Sequence, residues 1–122
     1  MSKAAELYAA LLVRELPAQA MLRLRSELRS QPCVVMEGEP PLQEVASLNM
    51  KARTLGIAHG MTKVEVDTFP AVRVLLRSID EESAAKTVLL ECAGGFSPRV
   101  ENCSEDGIFL CVVDIAGTEM LF

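Results

Sequence analysis

Leu16, Ala20, Leu24 and Leu28 recur every four residues, with Met21 beside them and Arg23, Arg25, Glu27 and Arg29 on the other faces. That period marks an amphipathic helix. Pro32 sets its end, because proline lacks the amide proton a helix interior needs. Short apolar runs flank this helix. Residues 6–13, ELYAALLV, read as a buried strand, with helix as the competing reading because of the alanines; residues 33–36, CVVM, read as a second strand. A chain that opens strand, helix, strand needs a sheet with helices packed on it.

The remaining segments extend that pattern. Residues 37–41, EGEPP, form a turn and 43–47 a returning strand, after which Ser47 or Asn49 caps a helix over 50–55 that stops at Gly56. A short helix is expected over 63–67 and a strand over 72–76. Ser78 or Asp80 caps a helix over 80–92 whose first turn is acidic and which Gly94 and Gly95 terminate. Residues 100–103 and 108–115 then pair as a hairpin. The order predicts an α+β fold with a mixed, mostly antiparallel sheet, and 122 residues suffice for one domain, 1–122.

Charge is uneven. The net charge is -5, with eight Lys/Arg against six Asp/Glu in residues 1–64 and four against eleven in residues 65–122. A strong nucleic-acid binder is disfavoured, and any polyanion contact belongs in the first half. Cys33, Cys92, Cys103 and Cys111 lack metal-site spacing and His59 is alone, so reduced core thiols are expected and no metal or other cofactor. The apolar runs are too short to cross a bilayer, which leads to the expectation of a soluble, cytoplasmic protein without a membrane partner.

Three segments in order carry a resemblance. LYAALLVRELPAQAML resembles the first strand and helix of Y-family translesion DNA polymerases, VASLNMKARTLGIAHGMTKVEV their fingers entry, and FSPRVE the strand leading to their catalytic hairpin. The hairpin ending DIAGTEMLF looks like that of the ImuB-type branch, polymerase-like proteins of bacterial mutagenesis cassettes. The resemblance implies a palm-like part, 1–47 and 70–122, with a fingers-like insertion at about 48–69. Full-length relatives continue through a thumb and a little-finger domain, so the chain is expected to be a shortened piece or a reduced gene.

In active relatives, first-strand and hairpin carboxylates hold two magnesium ions, which need hard oxygen ligands. By the resemblance Leu12 stands at the leading aspartate, Arg14 at the second position, and Pro17 at the tyrosine that excludes ribonucleotides. The hairpin aligns in two registers. Anchored on SPRVE, Asp106 matches the family aspartate and Gly107 replaces the glutamate; anchored on DIAGT, Phe109 and Leu110 take the two positions. Asp106-Gly107 is also a turn signal. The catalytic set is therefore expected to be degenerate at Leu12, Asp106 and Gly107, and the metal site lost.

In the fingers, Arg53 matches an arginine that contacts the incoming triphosphate, while Met50 replaces its tyrosine partner. Arg53 and Lys51 are the candidates for phosphate or DNA-backbone binding, with a solvated helix face as the equal alternative. Arg23, Arg25 and Arg29 are expected to be solvated, and His59 to be a loop residue. The expected function is that of a non-catalytic, ImuB-like protein of DNA repair and damage-induced (SOS) mutagenesis. Its implied partners are primer-template DNA, a sliding clamp and an active translesion polymerase. The alternatives are a small α+β interaction module sharing the fold, or an active nucleotidyltransferase using Glu105, Asp106 or Asp114.

Overall fold

β1 (Tyr8–Arg14) and β6 (Ile108–Asp114) pair antiparallel along their full lengths, and β5 (Val100–Asn102) adds to the other side of β6. These strands belong to a computed structural model that describes residues 8–95, 100–102, 104–105 and 107–114. The chain divides into two units, one formed by β1 with the chain from residue 84 onward, the other by residues 15–83. In the first unit, Phe109 and Cys111 of β6 are fully buried while Ile108 is exposed, the two-residue alternation of a half-buried strand. Glu105 and Ile108 exchange both backbone hydrogen bonds across residues 106 and 107, and Gly107 takes φ +76°, a left-handed value that suits a residue without Cβ. The chain therefore reverses between Glu105 and Ile108, with Gly107 in the turn.

The second unit has its own sheet, in the order β3-β2-β4. β2 (Cys33–Glu37) pairs antiparallel with β3 (Glu44–Leu48) and parallel with β4 (Arg73–Leu76). The α+β class holds, with one wholly antiparallel sheet and one mixed. Being central, β2 is buried from Cys33 to Met36, which explains its unbroken apolar run. On one side Val34, Met36, Val45 and Leu48 pack with Ala52, Ile57 and Val66; on the other, Val35 meets Ala18 and Met21. The loop ahead of α3 folds back along β3, where the Val45 amide donates to the Met61 carbonyl at 2.9 Å and the Val45 carbonyl accepts from Gly60 at 2.9 Å.

Helix ends follow local chemistry. α2 (Met50–Thr54) is capped by Asn49, whose side-chain oxygen accepts from the Ala52 and Cys33 amides, each at 3.0 Å, while its amide donates to the Gln31 carbonyl at 2.7 Å. Asn49, and not Ser47, is thus the cap. α3 (Lys63–Val66) starts with a reciprocal capping box between Thr62 and Glu65. α4 (Ile79–Gly94) begins one residue before Asp80, with Ser78 Oγ accepting from the Glu81 amide at 3.2 Å, so Ser78 is its cap. The expected termination at Gly94-Gly95 is observed, with the Gly95 amide closing on the Glu91 carbonyl.

Three expectations need correction. The first helix, α1, spans only Leu16–Arg23; a 3-10 turn at Ser26–Leu28 follows, and Leu24 is 64% exposed. The chain is drawn off the helical path there because Arg25 turns to Glu81, making two hydrogen bonds of 3.1 and 3.2 Å, and donates to the Met21 carbonyl. Arg25 and Arg29 are accordingly not simply solvated, since Arg29 also donates to the Leu22 and Arg23 carbonyls. Cys92 is exposed on α4, unlike the buried Cys33 and Cys111, and these three are free thiols; Cys103 lies outside the described residues. Burial pushes the Cys33 thiol up against the opposing charge of Arg73, so it stays protonated.

Candidate functional site

In the first unit, register decides which residues share a neighbourhood. Leu12 lies directly opposite Leu110, Val13 opposite Phe109, and Arg14 opposite Ile108. Directly opposed residues share a face, so Leu12 and Arg14 stand on the same face as Leu110 and Ile108. Leu12 is 48% exposed. Gly107 is in the turn beyond the last of these pairs, and Asp106 lies outside the described residues, as do Ser97 to Arg99 and everything after Asp114. A hard divalent cation takes oxygen ligands. The side chains of Leu12, Arg14, Phe109 and Leu110 supply none, and a guanidinium repels a cation, so this donor set does not fit a magnesium pair.

The second unit holds a denser polar site, built on Glu15. This residue precedes Pro17, which occupies the first turn of α1 and fixes the direction in which the helix departs. Glu15 has φ +54°, a left-handed conformation that costs a non-glycine residue about 1 kcal/mol. Its carbonyl accepts the Gln19 amide as the first helical bond, and its side chain turns away from the helix end, which it does not cap.

That side chain gathers donors from three segments. Oε1 accepts from Ser47 Oγ at 2.9 Å, from the Leu48 amide at 3.2 Å and from His59 Nε2 at 2.9 Å, while Oε2 accepts from Arg53 Nη2 at 2.8 Å. An ionised carboxylate only accepts, so the His59 Nε2 facing it carries a proton. Ser47 is fully buried at the end of β3 and also accepts the Ala18 amide at 3.1 Å, which joins β3 to α1. Burial alone raises the Glu15 carboxyl, but the hydrogen bonds from His59, Ser47 and Leu48, with the His59 charge, together hold it below the ordinary carboxylate range. The Glu15 side chain is 18% exposed, against 52% for both Arg53 and His59.

Of the candidates read from sequence, Arg53 joins this cluster and Lys51 stands exposed on α2 outside it. Met50 is exposed. The sequence pattern does not mark Glu15, Ser47 and His59 as a group. Only a glutamate placed two residues before the helix-starting proline hints at them, and the pattern does not show where its carboxylate points.

The fold has clear relatives among solved structures. A crystal structure of DinB from Sulfolobus solfataricus matches with a TM-score of 0.76 at 18% identity, over 92% of this chain and 33% of that one. An insertion ternary complex of Dbh DNA polymerase and a Y-family DNA polymerase chimera match with the same TM-score, identity and coverage. The chain thus spans about a third of the length of these structures. No curated protein matches the sequence. The fold is that of the N-terminal palm part of Y-family polymerases, and the sequence pattern of the impB/mucB/samB family fits residues 12–122, nearly the whole chain; the protein belongs to that family.

Proposed function

We propose that this is a catalytically inactive, polymerase-like protein of DNA repair and damage-induced mutagenesis, of the ImuB type. It serves as an adaptor between primer-template DNA or a sliding clamp and an active translesion polymerase. The observation that carries this reading is the pairing of Leu12 with Leu110 beside Phe109. Family relatives present metal-binding carboxylates at these positions, and leucine and phenylalanine offer a cation no ligand. That register favours the alignment anchored on DIAGT, with Gly107 in the turn before β6. The Dbh structures hold polymerase complexes described as ternary and binary, which favours DNA as the partner on which the protein acts. The acidic second half, with four Lys/Arg against eleven Asp/Glu, suits contacts to protein better than contacts to DNA.

The test is primer extension with magnesium or manganese and all four deoxynucleotides, using Leu12→Asp/Leu110→Glu beside the natural sequence. No extension is expected from the natural chain. Metal-dependent extension by it would overturn the reading and favour a working nucleotidyltransferase.

A further inference from the structure

The two margins of the β3-β2-β4 sheet are finished differently. Loop backbone is laid along β3, while β4 ends the sheet on the other side. β4 runs parallel to β2, and the Arg73 and Arg77 amides donate to the Pro32 and Met36 carbonyls at 2.9 and 3.0 Å. Backbone groups alternate in direction along a strand, so those of Arg73, Leu75 and Arg77 point toward β2 and those of Val74 and Leu76 point away. Among the described residues no backbone group is bonded to that outer side. The side chains leave the same margin open. Val74 lies beside Val34 and Leu76 beside Met36, so both continue the face that packs on Ala52 and Val66, yet both are exposed, Leu76 by 64%. β4 carries neither proline nor lysine, the residues that commonly guard such an edge.

The sequence of this margin is symmetric: Arg73-Val74-Leu75-Leu76-Arg77 reads cation, apolar run, cation in either direction. Laid antiparallel on a second copy about Leu75, it sets Val74 opposite the other copy's Leu76, and the reverse, so every outward backbone group of both strands finds a partner. Any other antiparallel register joins fewer of them. Charge also fits. Arg73 comes opposite the other copy's Arg77, a guanidinium already bound by Glu37 and Glu82, so the group it meets carries an excess negative charge. Arg73 is exposed and, among the described residues, donates only from Nε, to Gln31 at 2.9 Å, which leaves its terminal nitrogens for the partly exposed Glu37 of the other copy. We propose that β4 is a self-association edge, at which a second copy of this chain adds its own β4 antiparallel and extends the sheet through a twofold axis at Leu75. The inference stands on the second unit alone and holds whether or not the hairpin supports catalysis.

The experiment is sedimentation equilibrium of the natural chain from about 10 µM to about 1 mM, a range set by the small area so short an edge buries. A reductant keeps the exposed Cys92 from cross-linking copies, and amide hydrogen exchange is read at both ends of the range. The mass is expected to rise toward twice the monomer value, with the Val74 and Leu76 amides gaining protection in step. Leu76→Lys puts a charge at an exposed edge position, and Val74→Pro removes an outward amide while keeping the bonds to β2; each is expected to weaken association by at least about tenfold. Arg73→Ala is expected to weaken it about threefold at low salt. Circular dichroism checks folding, and Leu76→Lys decides alone if the proline unfolds the chain. An association that Leu76→Lys or Arg73→Ala leaves unchanged overturns the proposal. A monomer at every concentration also overturns it: unprotected amides would leave the edge to a strand from a different protein, and protected ones would mean that another segment of this chain covers β4.

Discussion

Glu15 links backbone conformation, hydrogen bonding and titration in one residue. Its carboxyl ionises at lower pH in the folded chain than in the unfolded one. Between those two values the unfolded state binds the extra proton, so stability rises with pH there. The contribution is present in full above the ordinary carboxylate range and is lost as pH falls through the folded value. Urea unfolding of the natural chain followed from about pH 6 to about pH 3 is expected to show a loss that Glu15→Gln lacks, because glutamine does not titrate. Identical pH profiles would show that the network places no demand on Glu15 ionisation. The residue scale is also where the sequence was least legible. The resemblance marks Arg53, but a single glutamate gives no sign that it will adopt φ +54° and pair with that arginine.

At the scale of elements, the ends of β2 and β4 and the start of α4 are joined by Arg77. Its Nε and Nη2 donate to the two oxygens of Glu82 at 3.0 and 2.9 Å, and Nη1 donates to Glu37 at 2.8 Å. Glu82 is buried, with 6% of its side chain exposed, and a buried carboxylate stripped of its partner is costly. Arg77→Ala is expected to destabilise the chain by about 3–5 kcal/mol in chemical denaturation, and Arg77→Met/Glu82→Leu by much less, since an apolar pair leaves no orphan charge. Equal losses would show that packing and not charge carries the effect. Elements as such were legible. The strands at β2 and β3, the cap at Asn49 and the glycine end of α4 follow from apolar runs and end chemistry that act locally. Leu24 and Leu28 keep a helical period past the end of α1, while the Arg25–Glu81 pair beside that end joins residues far apart in sequence.

For the whole molecule, the net charge of -5 disfavours attraction of a polyanion, and Arg53 is already paired with Glu15. Anisotropy with a labelled primer-template is expected to show binding only at low salt, none at about 150 mM, and no change with Arg53→Ala. Salt-sensitive binding that weakens with Arg53→Ala would instead place a live phosphate contact on α2. The fold class was legible because strand and helix order prune the possible architectures. The separation into two three-stranded sheets was not, because strand pairing across long stretches of chain leaves no local trace.

The network around Glu15 has one more consequence, for solubility. β3 is an outermost strand of its sheet, the kind of position at which another chain adds on and fibrous association starts. Val45 already has both outward backbone groups engaged by Gly60 and Met61, and Thr62 bridges Glu44. The Leu48 amide is sealed by the Glu15 carboxylate. The β3 margin of the sheet is thereby finished with loop backbone and one side chain, so a strand from a second copy meets few free partners along β3.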